Sequence, residues 1–428
     1  INFLNILGLN YFAKNEIDKS KNIFKKALSI DSTNFSILNS LGRVYHETRE
    51  SVKAEKFFVK AFEINKDSYE INNNLAGFYR EEGDYQKAIE YYERARKINP
   101  NNPSIINNLA KTYFDLDKIE TALEYCLKAL SINPEDGNIQ KILSLIYLKK
   151  QNFKLGWKYF DGRLNLSDFI EKNTTIENIK EKINIKKNIN FNSKILVLRE
   201  QGVGDEILYG TMYRDVLQNW KNVTIECDPR LKNLFINSFS KYKNCFTELG
   251  SISKYKNSIE KFDYVIYAGS LGKYFRKNIT EFNNGTYLVN PKKLAPDYQK
   301  QLKQMNKKFK VGISWKSFKN RYASEKSLTL ESFKTILDIE NSNIINLQYG
   351  DVGDEVREYN KKFDKKIFSF DDLDLTNDFD YLASVLKNLD LFISVSNSTA
   401  HLAGSLGVKT LLIKPENHAL FHYWNQPG

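Results

Sequence analysis

The chain has 428 residues, 41% hydrophobic and 27% charged, a length and balance that suit two or three soluble packed domains rather than one. It carries 64 Lys and Arg against 52 Asp and Glu, a net charge of +12, and no apolar stretch approaches the roughly 18 to 20 residues of a membrane helix. Three widely spaced cysteines (Cys126, Cys227, Cys245) argue against a disulfide framework or a metal cluster and for buried thiols in a reducing, cytoplasmic setting.

The positive charge is diffuse: residues 1–170 hold 25 basic and 22 acidic side chains, and the remainder 39 and 30. With no recognition helix, zinc finger or RNA-binding motif, this excess suits phosphate-bearing small ligands, not nucleic acid. The chain opens on Ile1, so a start upstream, with room for a targeting segment, is expected.

The first elements in chain order are repeats. Leu-small-x-x-Tyr recurs as LGLNY (Leu7, Tyr11), LGRVY (Leu41, Tyr45), LAGFY (Leu75, Tyr79), LAKTY (Leu109, Tyr113) and LSLIY (Leu143, Tyr147), each 34 residues from the last. A second comb of Ala27, Ala61, Ala95 and Ala129, preceded by Phe24, Phe58, Tyr92 and Cys126, keeps the same step. Small residues belong where two antiparallel helices approach closely, and stacked neighbours bury what one pair cannot. The pattern resembles the tetratricopeptide repeat, five units over residues 1–168, the fifth degenerate with Gly156 and Phe160 in its second helix. Asn39, Asn73 and Asn107 also recur at 34-residue steps, with Asn72 and Asn108 beside two of them. Two readings stay open: a ladder gripping the backbone of a protein or peptide partner, or solvated polar residues of an Asn-rich chain.

A polar linker (169–190) follows, and then strand-length apolar runs: KILVLRE, NVTIEC and FDYVIYAG, and beyond residue 308 FKVGISW, SNIINLQYG, KIFSF, LDLFISV and KTLLIK. Amphipathic helical stretches lie between most of them, which predicts parallel sheets with crossover helices. The predicted fold is therefore α + α/β: a helical solenoid, then two Rossmann-like doubly wound halves at 191–295 and 296–428, facing across a cleft at the carboxyl ends of their strands.

Two strand ends carry the candidate chemistry. In LREQGVGDEILYG, Gly202 and Gly204 permit close backbone approach, and Asp205 heads a helix. It is either a residue favoured there by the helix dipole or a general base for an acceptor hydroxyl or amide. In SNSTAHLAGSLG, Asn397, Ser398 and Thr399 open a helix whose free N–H groups suit a diphosphate, and His401 lies one turn in.

These motifs together resemble the heptosyltransferase-like glycosyltransferases of the GT-B fold, family 9, and the whole plan is similar to that of the protein O-GlcNAc transferases. The resemblance is strong over 194–210 and 309–414. VGISWKS, the basic stretch before SLTLESF, and NLQYGD fit the same family. It implies that Asp205 is the catalytic base, with Gly202 and Gly204 forming an acceptor and phosphate loop. It further implies donor contacts from Trp315, Lys316, Lys326, Gln348, Ser396, Asn397, Ser398, Thr399 and His401. Ser396 stands where the family has an aspartate that helps read the donor sugar. The chain also stops at NQPG, where the family continues into a final helix.

The expected activity is inverting, metal-independent and cofactor-free transfer of a sugar from a nucleotide-diphosphate donor to an acceptor, a protein presented by the repeats. A surface-glycan acceptor and a non-catalytic scaffold are the alternatives. DDLDLTNDFD (371–380) contains a DLD triplet, read as a loop in which Asp374 is solvated or capping.

Overall fold

The computed structural model describes residues 1–166, 169, 189–282, 285–290, 292–305, 308–318, 327–363, 367–370 and 372–413. The chain forms two compact units, Ile1–Lys150 with Lys158–Leu166, and Gln151–Trp157 with Ser167–Gly428. Most of the linker and the residues after Ile413 lie outside the described set.

The first unit is built of helix pairs: α1 (Asn2–Ala13) with α2 (Ile17–Ile30), α3 (Phe35–Glu47) with α4 (Ser51–Ile64), α5 (Tyr69–Glu81) with α6 (Tyr85–Ile98), and α7 (Pro103–Asp115) with α8 (Ile119–Ile132). α9 (Gly137–Lys149) is followed by α10 (Phe153–Phe160), only eight residues long, whose first turn belongs to the second unit. Asn34, Ser68, Asn102 and Asp136 cap α3, α5, α7 and α9 by accepting from backbone N–H groups of the first turn, a further 34-residue comb. The turn inside each pair passes through one left-handed residue at the same step: Asn15, Arg49, Gly83, Asp117 and Gln151. A Cβ on Gly8 or Gly42 would stand 2.5 or 2.6 Å from the ring of Phe24 or Phe58, so the small residues are where the helices close on aromatic rings.

Among its described residues the second unit has two parallel sheets. The first, in order β3-β2-β1-β4, contains β1 (Lys194–Leu198), β2 (Asn222–Cys227), β3 (Phe246–Glu248) and β4 (Tyr264–Tyr267). The second, in order β7-β6-β5-β8-β9, contains β5 (Phe309–Ser314), β6 (Ser342–Asn346), β7 (Ile367–Phe368), β8 (Leu391–Val395) and β9 (Thr410–Ile413). β3 was not anticipated, since three residues carry no readable alternation. The strand order reverses beside β1 in one sheet and beside β5 in the other, where doubly wound sheets bind ligands.

The helices are α11 (Val203–Gly210), α12 (Tyr213–Asn219), α13 (Pro229–Ser238), α14 (Lys256–Ile259), α15 (Gly272–Phe275), α16 (Pro296–Gln304), α17 (Lys334–Leu337), α18 (Gly353–Phe363), α19 (Phe379–Leu386) and α20 (Ser398–Ser405). One hydrophobic core takes Ile195, Val197 and Phe235 from the first half and Leu347, Phe392 and Leu402 from the second.

Candidate functional site

Three residues lead from β1 to the first turn. Gln201 is left-handed (φ 62°), and its carbonyl accepts from Arg199 Nη2 at 2.9 Å. Gly202 and Val203 then open α11, and the Asp205 carboxylate accepts from the Gly202 N–H at 3.2 Å. Asp205 is half-buried and therefore serves at least the helix start on which it sits.

The next residue had no place in the sequence reading. Glu206 is fully buried. Its carboxylate lies 2.9 Å from Arg199 Nε and accepts from the Asp228 N–H at 2.9 Å. Burial pushes its pKa up to about 7 against the pull of Arg199. Asp228, at the end of β2, accepts from Arg199 Nη1 (2.9 Å) and from Arg230 Nε and Nη2 (2.8 and 2.9 Å). Burial opposes its ionisation, yet the two guanidinium groups hold its carboxyl below the usual range. Arg230 Nη1 in turn donates to the carbonyl of Thr376 at 3.0 Å. The apolar strands end abruptly in charge, as LRE and ECDPR, and that is the signal that could have found this cluster.

At the end of β8, Asn397 caps α20, its Oδ1 accepting from the Ala400 N–H at 3.0 Å. Its Nδ2 donates to Ser314 Oγ (2.8 Å), which donates to Gln348 Oε1 (2.9 Å). That same oxygen accepts from the N–H groups of Trp315 (2.8 Å) and Lys316 (2.6 Å). A buried polar chain thus joins the carboxyl ends of β8, β5 and β6, across the point where the strand order reverses. The amides of Ser398 and Thr399 occupy the first turn of α20, where no intrahelical acceptor exists. Thr399 and Ser396 are buried, and Ser398 and His401 are partly exposed.

The two turns meet. A Cβ on Gly204 would stand 3.2 Å from His401 Cδ2 and 3.3 Å from Ser398 Cα, so the starts of α11 and α20 touch where an open cleft was expected.

Not every residue expected at the donor site faces it. Trp315 is wholly buried, with its indole N–H donating to Glu355 at 3.2 Å, so its ring offers no stacking surface. The Lys316 ammonium lies 2.6 Å from the Glu355 carboxylate. Lys326 lies outside the described residues. Asp374 caps its own loop, accepting from the N–H groups of Thr376 and Asn377.

In the first unit the first helices of successive pairs contact one another (α1 with α3, α3 with α5, α5 with α7, α7 with α9). On that face the asparagines form a ladder, but at a step of 35. Asn74 Nδ2 donates to Asn39 Oδ1 (3.2 Å), Asn108 Nδ2 to Asn73 Oδ1 (3.0 Å), and Ser40 Oγ to Asn5 Oδ1 (3.3 Å). The position 35 beyond Asn107 is Ile142, and the Asn107 side-chain carbonyl oxygen is buried without a hydrogen-bond partner among the described residues. Asn72 is no rung, since its amide donates to the carbonyls of Lys66 and Ser68. A second row runs beside the ladder at the same step, His46 to Glu81 (3.2 Å) and Arg80 to Asp115 (3.2 Å).

Tetratricopeptide-repeat family models match residues 1–34, 49–103 and 79–146. The N-terminal unit is a tetratricopeptide-repeat solenoid, followed by an α/β region of parallel sheets. Protein FlbA of Caulobacter vibrioides is 25% identical over 233 residues, covering 51% of this chain. The chain spans 39% of the length of that relative. Among solved structures, PilF of Pseudomonas aeruginosa is 23% identical over 38% of this chain and 73% of its own (TM-score 0.36). MamA is 24% identical over 39% of this chain and 96% of its own (TM-score 0.34).

Proposed function

We propose that this protein is an inverting glycosyltransferase that takes its sugar from a nucleotide-diphosphate donor and its acceptor from a protein held by the repeats. The observation that carries this reading is the contact between Gly204 and the Ser398–His401 turn. It brings a carboxylate, Asp205, and the head of an anion-favouring helix to one place, from strand ends nearly two hundred residues apart. In this reading the GT-B resemblance extends over both sheets. Asp205 deprotonates the acceptor, while the first amides of α20 and His401 stabilise the leaving diphosphate, chemistry that positive charge and dipoles perform without a metal. The repeat array favours a protein acceptor over a surface glycan.

A second reading has its own support. Asp205 is already engaged in capping α11, Lys316 with Glu355, and Trp315 in the core, as in a repeat scaffold whose sheets only hold shape. Incubating the protein with a panel of nucleotide sugars and following released nucleotide by mass spectrometry, with and without a chelator, separates the two. Release of one nucleoside diphosphate that persists with the chelator supports the transferase. No release from any donor, with no binding of uridine, guanosine or adenosine diphosphate, leaves the scaffold.

A further inference from the structure

We infer that Arg199, Glu206, Asp228 and Arg230 act as one positioning element, which sets the turn bearing Gly204 and Asp205 according to the engagement of Arg230 with the carbonyl of Thr376. The inference rests on reading that turn as the functional one.

Glu206 and Asp205 are adjacent on α11 and therefore about 100° apart around it. Asp205 is partly open to solvent, and Glu206 is directed into the protein. Every charge in the group has a named partner. Arg199 Nη1 donates to Asp228 and Nη2 to the carbonyl of left-handed Gln201, while Nε lies 2.9 Å from the Glu206 carboxylate as an ion pair without hydrogen-bond geometry. A left-handed non-glycine residue is strained, so the bond to that carbonyl holds a conformation the chain would otherwise leave. Asp228 receives Arg199 on one oxygen and Arg230 on both, while its own N–H fixes Glu206.

Arg230 then reaches out of the first half. Its Nη1 bonds the Thr376 carbonyl, and its guanidinium lies 5.7 Å from the ring of Phe379. Four clustered charges add less stability than apolar residues of equal volume often would, so their return here is geometry. A loop of the second half thereby bears, through two guanidinium forks, on the backbone that aims Asp205. A second link between the halves, Asn233 Nδ2 to Asp380 Oδ2 at 3.0 Å, starts from the same helix as Arg230 and is a separate hydrogen bond.

Asn233 therefore supplies the control for amide hydrogen exchange on the full chain. Arg230→Met should speed exchange by about tenfold at the Gly202 and Glu206 amides, which donate to the Asp205 carboxylate and the Gly202 carbonyl. Asn233→Ala should leave them unchanged. Arg230→Lys keeps the charge but not the fork, and should give a smaller shift in the same direction, which also serves if the methionine variant does not fold. Exchange at these two amides that is unaltered in the Arg230 variants, or raised equally by Asn233→Ala, overturns the inference. Binding of uridine, guanosine and adenosine diphosphate by the unaltered protein is measured in parallel. Its absence would count against the transferase and not against the coupling, which the exchange reads alone.

Discussion

Gly204 and Ser398, 194 positions apart in the chain, are packed so closely that a methyl group on Gly204 would lie 3.3 Å from the Ser398 Cα. Backbone, unlike the tip of a flexible side chain, cannot swing away. Gly204→Ala should therefore destabilise the protein by about 1 to 3 kcal/mol through overpacking. If the proposed diphosphate site lies at α20, the variant should also lower nucleotide affinity, because α20 must shift. Calorimetry and nucleotide titration check this, and an unchanged melting temperature would mean that the two turns part more easily than their contact implies.

Asp205→Asn keeps the size of the side chain and an oxygen for the Gly202 N–H. If the carboxylate is the general base, turnover falls by roughly 10² to 10⁴ with donor affinity nearly unchanged. As a residue serving the helix dipole alone, it would cost at most about 1 kcal/mol of stability and leave turnover near normal. Turnover, nucleotide affinity and melting temperature on this one variant divide the roles.

Glu206 makes stability depend on pH in a direction opposite to most carboxylates. Its folded value, about 7, lies above the usual 4.5. Between those values the folded chain keeps a proton that the unfolded chain has lost, so rising pH works against folding. Below the window both states are protonated, and above it both are ionised. The melting temperature of the wild type relative to Glu206→Gln should fall as pH rises from about 4.5 to about 7 and then level off. A difference that stays level across this window would place the carboxyl's folded value at or below, not above, the ordinary one.

The asparagine ladder gives two variants of opposite sign. Asn73→Leu leaves the Asn108 amide without its acceptor and should cost about 1 to 2 kcal/mol. Asn107→Leu removes a buried carbonyl that has no donor and should stabilise the solenoid by about 1 kcal/mol. Chemical denaturation of both variants tests the pair, and equal losses would show that Asn107 is satisfied in solution.

Arg49 is exposed and left-handed at the turn between α3 and α4, where the third repeat has Gly83. Arg49→Gly removes the steric cost and should raise stability by about 0.5 to 1 kcal/mol. Lower stability in the variant would assign the Arg49 side chain a contact worth more than the strain.

What could be read in advance follows from how local each signal is. A 34-residue period repeats its evidence five times, so α1 to α10 were legible even where single positions drift. Their left-handed turns were not, because only one of the five residues is glycine. The ladder was visible as a column at Asn39, Asn73 and Asn107, but its bonds join neighbouring columns, a step of 35 that identity at one position does not reveal. In the sheets, β1, β5 and β8 announced themselves as apolar runs. The Arg199–Glu206–Asp228–Arg230 group did not, because four charges scattered over 32 residues become neighbours only when β1 lies beside β2. Trp315 misled for a related reason: a strand's last residues alternate between faces, and this one turned to the core.

Pairing distance along the chain also sets an order in time. Successive repeats meet through partners about 35 residues apart, as Asn39 and Asn74 do. β1 must find β4 some 69 residues later, and β5 must wait 80 residues for β8. Closing longer loops costs more entropy before any contact repays it, and folding slows accordingly. On a translating ribosome the solenoid can finish while the second sheet still lacks its central partner. β5, the middle strand of five, is meanwhile an apolar ribbon with one edge bare. Between the synthesis of Ser314 and of Leu391 that bare edge, rather than any weakness of the finished fold, is open to pairing with other chains.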